Sequence, residues 1–143
     1  MCPPRIATAM IAALLLLLPA IAGQAIICSS PNALATDFTV TVSNDKPTKG
    51  ENVTTVFDFN LPVAVTGGIA RYAATLNGFP YTSTAPLCDE VAKTGDPCPL
   101  VAGHHHQVST SAATTSGKIV VKITWTNEAS QEILCAQITT KTV

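Results

Sequence analysis

From about residue 36 onward, apolar and polar side chains alternate with period two. Phe38, Val40 and Val42 interleave with Thr39, Thr41 and Ser43, the pattern of a strand with one face buried. Asn44–Gly50 is a polar turn. Val53, Thr55, Phe57 and Phe59 then fall on one face, against Asn52, Thr54, Asp58 and Asn60 on the other. Leu61-Pro62 breaks that strand, and Val63–Val65 forms a short piece before Gly67-Gly68. Tyr72, Ala74 and Leu76 share a face of the next strand, and Asn77–Tyr81 turns the chain out. His104–Ser111 is a weaker strand candidate, followed by small polar residues up to Gly117. Lys118–Trp125 carries the strongest pattern, with Ile119, Val121, Ile123 and Trp125 on one face. Thr126–Glu132 is a turn, and Ile133–Val143 is the closing strand. No stretch of this region has a convincing helical period. Seven or so short strands at this spacing predict an all-β fold, an immunoglobulin-like antiparallel sandwich.

The first residues follow a different pattern. Arg5 precedes an apolar run from Ile6 to about Pro19, and Ala20-Ile21-Ala22 is a small-residue cleavage pattern. This predicts a secretory signal peptide over residues 1–22, with Gly23/Ala25 as a second cleavage choice. The run is shorter than the roughly 20 residues a membrane span needs, and no basic cluster follows it. The remainder, 23–143, has the length of one domain with one core.

Removing the leader subtracts Arg5 from eight basic residues, so seven face nine acids, a net charge of −2. That balance excludes a nucleic-acid footprint and gives no attraction of the whole molecule to an anionic membrane. Cys2 leaves with the leader, and Cys28, Cys88, Cys98 and Cys135 remain. An even number in a small secreted domain reads as two disulfides, with three pairings open. Cys88 with Cys98 is the local choice, which leaves Cys28 with Cys135, 135 − 28 = 107 residues apart. A zinc site built from cysteines with His104 and His106 lacks any C-x-x-C spacing.

Other motifs are weaker. Asn52-Val53-Thr54 is an N-glycosylation sequon on the polar side of its strand. On a strand, His104 and His106 share a face and His105 takes the other, so at most two could ligate a metal, with no third ligand given by spacing. A solvated polar strand is the simpler reading; a pH-sensitive patch is the other. No nucleophile elbow, zinc-protease motif or phosphate loop is present, and Asp89-Glu90 reads as a solvated carboxylate pair, so no catalytic residue, metal or cofactor is assigned. The inward positions carry many slender residues, among them Ala64, Ala70, Ala74 and Ala136. Sheets about 10 Å apart with such residues between them enclose either a narrow packed core or a hollow.

Taken in order, these segments resemble the ML lipid-recognition family. The resemblance rests on Cys28 after the leader, "TVTVSNDKPTKG", "ENVTTVFDF", "LNGFPY", the cysteine box ending "CPL", "GKIVVKITW" and "EILCAQI". The family includes the soluble Niemann–Pick type C sterol carrier, fungal phosphatidylglycerol/phosphatidylinositol transfer proteins and mite group-2 allergens. The resemblance implies a lipid cavity between the sheets, and a Cys88–Cys98 bridge that pins a solvated crossover loop beside the lipid entrance. It implies Phe38, Val40, Phe57, Phe59, Val65, Tyr72, Leu76, Val121, Ile123 and Trp125 as lining residues. Tyr81 falls where the family places an aromatic at the mouth, and Ala112–Ser116 on the facing lip. Ala112 and Ser116 stand where the sterol carrier has an apolar residue and an aromatic, which leaves room for a phospholipid. The link Asn44–Pro47 also lacks that carrier's extra disulfide loop.

The implied function is a monomeric carrier, secreted or in the endolysosomal lumen. It would hold a sterol or phosphatidylinositol/phosphatidylglycerol, touch membranes transiently and pass cargo to other membranes or a membrane-protein acceptor. Its rivals are a lipid-presenting protein acting on a receptor and a packed adhesion-type sandwich with no ligand.

Overall fold

The computed structural model describes residues 24–143; the signal peptide predicted over residues 1–22 lies outside the described residues. The described residues form eight strands: β1 (Gln24–Ile27), β2 (Thr36–Val42), β3 (Asn52–Leu61), β4 (Gly68–Leu76), β5 (Phe79–Pro86), β6 (Gly103–Ala112), β7 (Gly117–Asn127) and β8 (Glu132–Thr142). A short helix, α1 (Leu87–Ala92), lies between β5 and β6. The strands form a five-stranded sheet ordered β1-β8-β7-β4-β5 and a three-stranded sheet ordered β2-β3-β6, both antiparallel.

Directly opposed residues in an antiparallel sheet share a face, so the register gives rows of inward side chains. In the large sheet one row is Ala136, Ile123, Tyr72 and Ser83; the next is Ile138, Val121, Ala74 and Tyr81; the next is Thr140, Ile119, Leu76 and Phe79. In the small sheet Phe59 opposes His105, Phe57 opposes Gln107, Thr55 opposes Ser109 and Val53 opposes Ser111.

One end of the sandwich is filled and the other is not. At the filled end Phe59, Leu134, Leu87, Val91 and Leu100 are fully buried, and Trp125 is nearly so. Phe38, Phe57 and Trp125 chain together, with ring centroids 5.3 Å apart for Phe38–Phe57 and 5.6 Å for Phe57–Trp125. Phe59 stacks on His105 at 5.3 Å. These aromatics span the gap between sheets that slender residues leave open elsewhere.

Both disulfides form, Cys28–Cys135 and Cys88–Cys98. Three expectations change. Asn77–Tyr81 does not carry the chain away: only Asn77-Gly78 turns, both at positive φ (49° and 87°), and Phe79–Pro86 returns as edge strand β5. Asn-Gly between two alternating runs favours a two-residue hairpin for that reason. The chain also gains β1, which pairs with β8 beside the Cys28–Cys135 bridge. The bridged crossover, read as a solvated loop, contains α1, whose Leu87 and Val91 lie four residues apart on one face and plug the filled end with Leu100.

Candidate functional site

Between the sheets lies a cavity of about 360 Å³. Its apolar wall is the inner face of β7 and β8: Ile119, Val121, Ile123, Trp125 and Ile138. Across from it stand Val53, Thr55 and Phe57 of β3. Side chains such as Val53, Thr55, Thr140 and Thr142 are too short to meet in the middle, which is the local reason the space exists. The size is that of a small-molecule site, and a mostly apolar lining with a few polar groups is the usual composition of one.

Apart from Thr55, Thr140 and Thr142, the polar groups lie on one side. Gln107, Ser109 and Ser111 face in from edge strand β6, and Ala112–Thr115 form a lip where β6 runs into β7. α1 and the residues after it bring Glu90, Lys93 and Thr94. The Tyr72 hydroxyl donates to Glu90 Oε2 at 2.6 Å, and Lys93 Nζ donates to Glu90 Oε1 at 2.6 Å. Burial alone would raise the Glu90 pKa, but the hydrogen bonds from Lys93 and Tyr72 and the Lys93 charge outweigh it and hold the carboxyl below its ordinary value. Burial first, then the bond to Glu90, pushes the Tyr72 hydroxyl well above its ordinary value, so it stays a donor.

The ML-domain family model matches residues 25–142, nearly all of the described chain. The chain belongs to the ML-domain family. Among solved structures, a Niemann–Pick type C2 protein from the Japanese carpenter ant superposes on this ML domain with a TM-score of 0.58 at 18% identity, covering 82% of this chain and 98% of that one. Chicken MD-1, determined in complex with lipid IVa, superposes with a TM-score of 0.54 at 15% identity, covering 84% and 98%. At these identities the likeness is one of fold. No curated protein matches the sequence.

Of the residues singled out from the sequence, Phe57, Tyr72, Val121, Ile123, Trp125 and Ala112 stand on the wall of this ML domain's cavity. Phe59 and Val65 do not: both are buried in the filled end, Val65 bridging to Leu100. Phe38 and Val40 pack half-buried against the same core. Leu76 shares the inward face beside Ile119 but does not line the cavity. Tyr81 is 64% exposed, because β5 is an edge strand and its inward face overhangs. Sequence reasoning missed Val53, Thr55, Ile119 and Ile138, which lie on the strand faces already identified as inward. It also missed the polar side, for which serines in a weak strand gave no signal.

Glu90, read as half of a solvated carboxylate pair, and Asp96 on the same crossover are structural. Glu90 is held as above, and Asp96 Oδ2 accepts from Gln107 Nε2 at 2.8 Å while lying 2.8 Å from His105 Nδ1. His105 Nε2 donates to the Val101 carbonyl at 2.7 Å, so the buried imidazole is pinned on both sides. His104 and His106 do share the outward face, and the register supplies the carboxylate that spacing did not. Asp58 opposes His106, with His104 Nε2 2.7 Å from Oδ1 and His106 Nδ1 2.9 Å from Oδ2. The bonds from His106 and His104 lower the Asp58 pKa. Among the described residues no three such side chains are arranged to hold a metal ion. Asn52 is exposed at the start of β3.

Proposed function

We propose that this ML domain holds one lipid in the cavity and carries it between membranes. The observation that carries this reading is a cavity of about 360 Å³ walled by Ile119, Val121, Ile123, Trp125 and Ile138 in a fold that MD-1 uses with lipid IVa. Burying apolar ligand surface against that wall is worth about 25 cal/mol per Å². A bilayer offers the same gain, so net transfer depends on the shape of the cavity and on the polar side. The hydroxyls of Ser109 and Ser111 and the lip Ala112–Thr115 suit a ligand that keeps a polar end at the lip, a sterol or a phospholipid. Export with removal of the leader, glycosylation at Asn52 and residence outside the cell or in an endolysosomal lumen complete the proposal; two disulfides suit such an oxidising setting.

The test is native mass spectrometry of the secreted protein, followed by extraction and identification of its lipid. One sterol or phospholipid per chain supports the carrier and names the cargo class. A protein that emerges empty and takes up neither fluorescent sterol nor phosphatidylinositol would overturn it.

A further inference from the structure

The charges of this chain are segregated along the sandwich. The link between β2 and β3, the β4–β5 turn, the β6–β7 loop and the end of β8 all meet at the end opposite the filled core. Gly50 N donates to the Ala113 carbonyl at 2.8 Å, Asn77 N to the Lys118 carbonyl at 2.8 Å, and Val143 N to the Pro47 carbonyl at 3.0 Å. Lys46, Lys49, Lys118 and Lys141 project there, exposed, against only Asp45 and Glu51. Lys46, Lys118 and Lys141 line one shallow recess together with Asp45 and Thr139. The rest of the described chain carries three basic residues against seven acids. The described residues, with seven basic side chains against nine acids, therefore have one positive end.

That end also carries apolar surface and the cavity lip. Phe79, two residues beyond the Asn77 that Lys118 holds, is 76% exposed, and Val143 is 66% exposed. Ala112–Thr115, which line the cavity, belong to the loop that leads into Lys118. Cations and exposed apolar side chains gathered at one end match a surface with anionic groups outside and hydrocarbon just beneath, which is an anionic phospholipid bilayer. We infer that the basic end docks on an anionic bilayer, with Lys46, Lys118 and Lys141 on headgroup phosphates and Phe79 at the acyl boundary. The cavity lip then faces the membrane. This names the surface that the carrier reading requires and rests on that reading, but it is tested apart from it.

The experiment is flotation of the full chain with vesicles of phosphatidylcholine alone and with about 30% phosphatidylserine. The wild type is expected to bind the anionic vesicles, to ignore the neutral ones and to detach as ionic strength rises. The double variant Lys118→Gln/Lys141→Gln should lose on the order of 30-fold in partition, about fivefold per lysine. Arg71→Gln, on the outer face of β4 near the filled end, should change it less than about twofold, its charge lying beyond a screening length from the docked surface. Circular dichroism verifies that the variants fold. Absence of binding, equal binding to both vesicles, or an Arg71→Gln loss equal to that of the double variant would overturn the docking assignment. Lipid content, measured separately by mass spectrometry, distinguishes the two ideas. A lipid-loaded chain that fails to dock sinks only the docking; an empty chain that docks sinks only the carrier.

Discussion

Tyr72 on β4 and Glu90 on α1 are joined by a hydrogen bond of 2.6 Å across the polar side of the cavity. The bond ties the one helix of the described chain to the five-stranded sheet, and Lys93 completes the cluster from the outside. Because Glu90 titrates lower in the folded chain than in the unfolded one, the sign of its pH dependence is fixed. Its contribution is complete above the unfolded value of about 4.3 and is lost as the pH falls through the folded value. Tyr72→Phe should cost about 1.5 kcal/mol at neutral pH, the usual worth of a bond to a charged group. In urea unfolding the gap between variant and wild type should shrink as the pH falls through the folded value of Glu90. A gap that stays constant would mean the carboxylate is not what the hydroxyl stabilises.

Asp96 is the second anchor of the crossover. One of its oxygens serves both His105 and Gln107, each of them buried. Asp96→Ala strands two buried polar side chains and should cost about 2–4 kcal/mol. Asp96→Asn keeps an acceptor oxygen and should cost less than the alanine. Thermal unfolding of the two variants decides it; equal losses would show that the charge of the carboxylate, and not a retained acceptor oxygen, is what His105 and Gln107 require.

Much of this architecture is written in the alternation of single strands. Ile119, Val121, Ile123 and Trp125 face inward as the period-two pattern requires, and the same holds for Val53, Thr55, Phe57 and Phe59. The pattern fixes a side of the sheet but not a depth along it. Phe59 and Val121 are equally inward, yet one is core and the other is wall, because only tertiary contacts decide where α1 and Leu100 plug the gap. Edge strand β5 was obscured for a related reason. Its inward Tyr81 and Phe79 are exposed, and prolines stand at Pro80 and Pro86, both of which an edge tolerates. The Asp58 partner of His104 and His106 lies 46 and 48 residues away and exists only through strand register.

The two disulfides should contribute unequally. Cys28–Cys135 closes 107 residues and Cys88–Cys98 closes ten. Chain entropy then gives about 4–5 kcal/mol for the first and about 2–3 kcal/mol for the second. Paired serine variants, compared by denaturant unfolding, should rank in that order. The reverse order would indicate that holding α1 against the filled end outweighs loop closure.

Val121 offers the sharpest separation of cavity from core. It projects from the middle of β7, between Ala74 and Ile138, into open space, whereas Phe59 is enclosed by His105, Trp125 and Phe38. Val121→Trp puts an indole into the cavity, where space is available for part of it. The change should cut lipid uptake at least tenfold and alter stability by no more than about 1–3 kcal/mol, the cost of a larger side chain in a fully packed core and so an upper bound beside a cavity. Phe59→Ala should do the converse, costing about 3–5 kcal/mol while the chain that remains folded still takes up lipid. Uptake is read by fluorescent sterol and phosphatidylinositol titration, and stability by denaturant unfolding of the same samples. If Val121→Trp binds as the wild type does, the ligand does not lie between the sheets. A Phe59→Ala chain that is folded yet lipid-free would instead move the site toward the aromatic end.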